Sequence, residues 1–400
     1  MNILQIAPRV PFPPDDGGKI GIFNITKYLS LRGHNITLVT FENLLDTKKD
    51  YLELQNYCKL FVVPKNLNNS IGSIVKSLFS NISYNIEKYG SKEMLQKVLE
   101  LLETKEFDIV HIDGLHMARY GVEIKKFFDI PIALREHNIE SIIMKRVSEN
   151  AKNILIKSFT LLQYKKIYNY EKYVTSKFDE CIVITKEDDF TLKKMNPKAQ
   201  TFVIPAGADT SFFYPLPVKE VDSSIVFVGS LEWFPNVEGI MWFLNRIYPI
   251  IKQKIPLFKL YIVGKNPPES ILSYNSPEII VTGYVKDVRE YVSKSSLVVV
   301  PLRIGGGMRI KILESMAMGK AVVSTTIGAE GIDAKNDEEI IIRDREDDLV
   351  NAVTDLLVDE GKRKRIGENA LKFVREKYTW EKVAERFEEE YLRLIRQRGD

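Results

Sequence analysis

One repeated unit constrains this chain more than any other feature. A short apolar run ends on glycine or proline, and a segment with apolar residues at helical spacing follows. Ile3-Leu4-Gln5-Ile6-Ala7 meets Pro8, and a loop containing Pro11, Pro13, Pro14 and Asp15-Asp16-Gly17-Gly18 follows. Lys19 to Arg32 then carries Ile20, Phe23, Tyr28 and Leu31 at helical intervals, and Gly33 closes it before the run Ile36 to Phe41. The rhythm continues with strands at Phe107 to Asp113, Ile130 to Arg135 and Asp179 to Thr185. It restarts at Ser224 to Val228, Leu257 to Gly264, Ile279 to Tyr284, Leu297 to Leu302 and Ala321 to Thr325. Strand–helix–strand succession builds parallel sheets covered by helices. The chain is therefore expected to be α/β, with two doubly wound Rossmann-like domains facing across a cleft.

The boundary is expected where the rhythm breaks. Phe202 to Asp209 interrupts it, and Phe213-Tyr214-Pro215-Leu216-Pro217 is proline-rich. The expected domains are residues 1–206 and 207–380, with a final amphipathic helix over 381–400, entered through Trp380, packing back on the first. Further helices are expected over Ser70 to Phe79, Ser91 to Glu103, 141–178, Val237 to Ile251 and Asp344 to Asp359. Asp287 is expected to cap a helix ending near Ser293. The 141–178 stretch is rich in tyrosine and lysine, which suits a solvated face, a membrane surface or an acidic acceptor.

With 44% apolar and 28% charged residues, large cores are available. A net charge of +3 is too small to imply nucleic acid. Cys58 and Cys181 are too few for a disulfide framework, which fits reduced thiols in a cytoplasmic protein. His34, His111, His116 and His137 show no metal spacing, so no metal is expected. No signal peptide or spanning segment is expected.

The most informative stretch runs from Leu297 to Lys320. An apolar strand enters Gly305-Gly306-Gly307, and Met308-Arg309-Ile310-Lys311-Ile312-Leu313-Glu314 follows. Glycines let an anion approach the amides at a helix start, Arg309 and Lys311 add positive charge, and Glu314 can accept two hydrogen bonds from a ribose. This reads as a nucleoside-diphosphate site. Gly17 and Gly18 occupy a comparable strand-to-helix turn near the amino terminus. His137 follows a strand at its carboxyl end, where open parallel sheets bind ligands. Asp344-Arg345-Glu346 is better explained as helix capping than as a metal pair.

At this point the chain resembles family 4 of the retaining glycosyltransferases, which have the two-domain GT-B fold. The resemblance rests on an ordered set: Pro13-Pro14-Asp15-Asp16-Gly17-Gly18, Arg32-Gly33-His34, Asp108-Ile109-Val110-His111 and His137-Asn138-Ile139-Glu140. It continues through Val203 to Asp209, Phe227-Val228-Gly229-Ser230, Gly283-Tyr284-Val285-Lys286-Asp287, Glu314 to Gly319 and Tyr378-Thr379-Trp380. It is nearest the subgroup with a Gly-Gly-Gly-x-Arg-x-Lys-x-Leu-Glu loop, often linked to bacterial surface polysaccharides. The resemblance implies a nucleotide-sugar donor of UDP or GDP type, with no separate cofactor, and a glycan or lipid-linked acceptor. A membrane surface is an expected partner and nucleic acid is not. The expected location is cytoplasmic, at the inner face of the membrane.

The resemblance assigns Glu314 to the ribose, Val285 to the nucleobase and His137 to the active-site floor. Gly17, Gly18, Gly229, Ser230, Gly306, Gly307, Met308 and Ile310 complete the expected donor contacts. Gly306 stands where relatives keep a carboxylate on the donor sugar, and Ser230 where they keep an arginine on the diphosphate. Arg309 and Lys311 are expected to supply that positive charge. Transfer would proceed at the front face, the leaving phosphate oxygen taking the acceptor proton. Two other readings stay open: a nucleotide-sugar-binding protein without transfer activity, and an epimerase of the same fold.

Overall fold

The structure, a computed structural model, describes residues 1–14, 16–44, 51–68, 77, 80–151 and 153–399. The chain divides into two compact units, Met1–Pro205 with Val383–Asp400, and Ala206–Lys382.

The first unit is built on a seven-stranded sheet. Its strands are β1 (Asn2–Ala7), β2 (Asn35–Asn43), β3 (Lys59–Lys65), β4 (Ile109–Asp113), β5 (Ile132–Arg135), β6 (Glu180–Val183) and β7 (Thr201–Val203). The spatial order is β3-β2-β1-β4-β5-β6-β7, and each neighbouring pair is parallel. The chain leaves β1 toward one edge and resumes at β4 toward the other. The order therefore reverses between β1 and β4, and a crevice opens there at the carboxyl ends of the strands.

The second unit repeats the plan with six strands: β8 (Ser224–Val228), β9 (Lys259–Val263), β10 (Ile279–Gly283), β11 (Leu297–Val300), β12 (Val322–Ser324) and β13 (Ile341–Ile342). Their order is β10-β9-β8-β11-β12-β13, again all parallel, and the reversal falls between β8 and β11. Alternate side chains serve two cores. Ile225, Phe227, Leu297, Val299 and Val323 pack on one face. Val226, Val298, Val300 and Val322 pack on the other. Both faces being buried is why these strands read as unbroken apolar runs.

Several expected elements are redrawn by the structure. The single helix over 141–178 is two, Glu140–Asn150 and Ile154–Val174. Asn153 makes the break: its side chain accepts from the amides of Leu155 at 2.9 Å and Ile156 at 3.3 Å, capping the second helix. The helix over Val237 to Ile251 is three segments, Phe234–Trp242, a π-helical turn at Phe243–Ile247, and Tyr248–Lys254. Pro249 has no amide to donate back to the preceding turn, and the widened segment absorbs that loss. Phe202, expected in the linker, belongs to the edge strand β7. Strand β3 was not expected, because its Lys59, Pro64 and Lys65 are edge-strand chemistry rather than core chemistry. Helix Glu360–Lys377 was also not anticipated, since charged residues dominate its composition. The helix expected over Ser70 to Phe79 lies outside the described residues except for Ser77.

Helix Trp380–Gly399 begins in the second unit and continues into the first. Trp380 is fully buried, and a Cβ on Gly207 would stand 3.0 Å from its amide nitrogen and 3.1 Å from its ring. Trp380→Ala is expected to destabilise the folded state by about 3–5 kcal/mol, the cost of emptying a large aromatic site. A denaturant unfolding curve coincident with wild type would contradict this.

Candidate functional site

Two groups of candidate side chains lie at carboxyl strand ends, one in each unit. In the second unit, β8 ends at Gly229 and β11 leads through Pro301 and Leu302 into the glycine loop and helix Ile310–Ala317. These are the two strands flanking the reversal of strand order. Gly305 and Gly307 have φ of +129° and +73°, values that side chains on L-residues resist, so the loop needs glycine there.

Lys311 is the centre of this group. Its Nζ donates to Asn236 Oδ1 at 2.9 Å and sits 4.8 Å from the centroid of the Phe227 ring. A Cβ on Gly229 would stand 2.8 Å from Nζ and 2.7 Å from Asn236 Nδ2. Glycine at 229 therefore makes room for the ammonium. Asn236 Nδ2 in turn donates to the Ser230 carbonyl at 2.8 Å, tying the ammonium's partner to the β8 turn. Burial first, then the charge of Arg309, lowers the Lys311 pKa to about 7.

Arg309 is buried and is turned onto its own loop. Its Nη1 donates to the carbonyls of Gly306 and, at 3.0 Å, Gly307, while its guanidinium lies 5.0 Å from the Trp233 ring centroid. Glu314 follows one turn along the helix from Lys311. Burial raises its pKa to about 7, with Lys311 opposing the shift and Asp209 adding to it. Met308 and Val285 pack against the core beside β8 and β11, and Gly283 before Val285 has φ of +67°. Arg303, two residues before the glycines, is paired with Glu238 instead.

In the first unit, Gly17 and Gly18 open helix Gly17–Leu31, the next helix after β1. The amide of Gly18 is already engaged: Asp16 Oδ1 accepts from Gly18 at 3.0 Å and from Lys19 at 3.1 Å, and Arg9 Nη2 donates to the same oxygen at 2.6 Å. Asp16 thus fills the helix-start position that the sequence reading gave to a phosphate.

His137 lies past the end of β5, where its Nε2 is 3.3 Å from Asp113 Oδ1. Asp113 ends β4 and is fully buried. It also accepts from Gln5 Nε2 at 2.7 Å, stands 3.1 Å from His111 Nε2, and accepts from Arg135 Nη1 at 3.4 Å. His111 is bonded on its other nitrogen to the Tyr391 hydroxyl, and Thr26 Oγ1 donates to Gln5 Oε1 at 2.7 Å. Burial alone would raise the Asp113 pKa, but His111, His137 and Arg135 together hold it well below the carboxylate range. Burial and then the Arg135 charge push the His137 pKa below its ordinary value. The ring is therefore neutral at neutral pH. Its Asp113 partner assigns the proton to Nε2 and leaves Nδ1 as an acceptor.

The sequence reading missed Asp113 and Asn236. Asp113 carried a signal, being an acid at the last position of a buried strand; Asn236 carried none, because its partner lies 75 residues away.

Comparison with known proteins follows this geometry. Residues 222–359 match the family model described as Glycosyl transferases group 1. A 44.6 kDa protein in the cps region of Klebsiella pneumoniae is 24% identical over 398 residues, covering 96% of this chain and 97% of its own. Among solved structures, sucrose-phosphate synthase from Thermosynechococcus elongatus superposes with a TM-score of 0.75 at 16% identity, over 99% of this chain and 100% of that one. HepE of Anabaena in complex with UDP-glucose superposes with a TM-score of 0.69 at 14% identity, over 97% and 98%. The fold is GT-B. The protein is a glycosyltransferase. Its glycosyl transferases group 1 domain lies in the second unit and contains the whole Gly229–Lys311–Glu314 group.

The paired shifts of Lys311 and Glu314 make stability depend on pH. The Glu314 pKa is about 7 in the folded state and 4.5 ordinarily, so its contribution falls as pH rises from about 4.5 to 7. The Lys311 pKa is about 7 against 10.5, so its contribution grows as pH rises from about 7 to 10.5. Glu314→Gln is expected to show a smaller loss of stability between pH 5 and pH 7 than wild type in urea titrations. Identical slopes in the two proteins would rule out a raised Glu314.

Proposed function

We propose that this glycosyltransferase moves a sugar, with retention at the anomeric carbon, from a nucleoside-diphosphate sugar of UDP or GDP type to a glycan or lipid-linked acceptor. The setting is synthesis of a bacterial surface polysaccharide, in the cytoplasm or at the inner face of the membrane. One observation carries the donor assignment: the Lys311 ammonium beside Gly229, at the strand-order reversal, with a glycine loop before it and Glu314 one turn after it. The relative in a cps region supports the polysaccharide setting, and the UDP-glucose complex of HepE supports a nucleotide-sugar donor. Among the described residues no helix is long and apolar enough to cross a membrane, which fits a peripheral location.

On this reading residues 207–380 bind the donor, and residues 1–206 with 381–400 serve the acceptor. The diphosphate lies against the Lys311 ammonium, Ser230 and the amides of Gly307, Met308, Arg309 and Ile310. An adjacent dianion favours the charged ammonium, so donor binding restores the proton that burial has loosened. Arg309 shapes the loop through the Gly306 and Gly307 carbonyls and adds its charge to the leaving group. Glu314 accepts from the ribose hydroxyls, and Val285 packs beside the base. The sugar C1–O bond to the phosphate breaks while the acceptor oxygen bonds to C1 from the same face. The acceptor proton passes to the departing phosphate oxygen. His137, its ring fixed by Asp113, accepts a hydrogen bond at Nδ1 from the transferring sugar or the acceptor.

Glu314→Ala is expected to weaken nucleoside-diphosphate binding by roughly 1.5–3 kcal/mol in calorimetry, a charged hydrogen bond's worth. Unchanged affinity would remove the ribose role. His137→Ala is expected to abolish sugar transfer with nucleotide affinity kept, and Arg309→Ala to cut turnover far more than it lowers the melting temperature. Normal turnover in either would overturn that residue's assignment.

A further inference from the structure

Helix Ile154–Val174 carries exposed aliphatics over its first turns, with the exposed Lys157 among them, and further lysines beyond. Ile154, Leu155 and Ile156 open it and are 72%, 77% and 55% exposed. Leu161 and Leu162, two turns on, are also exposed. With a rise of 1.5 Å per residue, this apolar section covers about 12 Å of the helix. Lys165 and Lys172, both exposed, follow it by about 5 Å and 15 Å. The helix contains four lysines and one acid, Glu171. That acid is buried and turned inward, accepting from the Glu140 amide at 2.8 Å, the Ser141 amide at 3.3 Å and the Ser141 hydroxyl. The exposed side chains of the helix therefore include no acid; beside the aliphatics and lysines they are Ser158, Asn169 and Tyr173. In the preceding helix, Val147 is exposed near the same turn, and Glu149 is 3.8 Å from Lys145.

Five large aliphatics on one exposed helix end form a surface that water disfavours. A second copy of the chain would be a poor cover, because like faces brought together would oppose lysine to lysine. An anionic bilayer satisfies both parts at once: hydrocarbon takes the aliphatic end, and lipid phosphates meet the lysines behind it.

We propose that the amino-terminal end of helix Ile154–Val174 docks this protein on an anionic membrane. Ile154, Leu155 and Ile156 enter the acyl boundary, and Lys165 and Lys172 lie in the headgroup layer. The inference deepens the proposed location at the inner face of the membrane, on which it rests, and is read without donor or acceptor.

Cosedimentation of the full chain with phosphatidylcholine vesicles, with and without phosphatidylglycerol, tests the proposal. Wild type is expected to partition onto the phosphatidylglycerol vesicles and to be released by high salt. Ile154→Ser with Leu155→Ser is expected to lower partitioning by about tenfold or more at unchanged melting temperature. Lys165→Glu with Lys172→Glu is expected to lower it by at least about tenfold and to abolish the preference for phosphatidylglycerol. A Leu155→Trp reporter should show a blue shift in fluorescence on adding these vesicles. Three results would overturn the proposal: no binding by wild type, wild-type partitioning by both double variants, or no shift in the reporter. A face that holds two copies together in sedimentation velocity, without lipid binding, would overturn it as well.

Discussion

A lysine ammonium held against an aromatic ring at the end of a parallel sheet is the interaction on which the second unit turns. Lys311 reaches back from helix Ile310–Ala317 to the β8 turn, and three neighbours make that reach workable. Gly229 leaves the volume, Asn236 supplies one acceptor, and Phe227 offers its ring face. The site keeps the ammonium less hydrated than it would be in solvent, which is why its proton is loosely held. A group in that condition responds strongly to an arriving anion.

The first unit solves the opposite electrostatic problem. Asp113 is a fully buried carboxylate, and it is tolerated because it is surrounded by donors from elements far apart in the chain: Gln5 on β1, His111 on β4, Arg135 on β5 and His137 beyond it. This network sets neighbouring positive charge against the desolvation of the buried carboxylate. Its outcome is a neutral imidazole with a defined tautomer at the carboxyl end of the sheet. The same fold therefore carries a relaxed positive group in one unit and a firmly held negative one in the other.

The architecture was readable because buried parallel strands leave a strong trace. Ile225 to Val228 and Leu297 to Val300 are uninterrupted apolar runs, and Ile3 to Ala7 is broken only by Gln5, since helices cover both faces of each sheet. The trace fails where burial is one-sided or absent. Strand β3 pairs at a sheet edge and carries lysine and proline. The break between Glu140–Asn150 and Ile154–Val174 rests on one asparagine cap inside an otherwise helical composition.

By itself, the sequence determined the class of fold, the strand-to-helix turns and the glycine loop with its two cations and carboxylate, because these depend on local pattern and on residue chemistry. Tertiary structure alone decided what each charged group touches. It directed Arg309 onto the Gly306 and Gly307 carbonyls and Lys311 onto Asn236. It filled the Gly18 amide with Asp16 and gathered Asp113 with His137. Such partners lie from a few residues to several strands apart, and a charge settles wherever the folded chain offers it compensation, which local sequence does not specify.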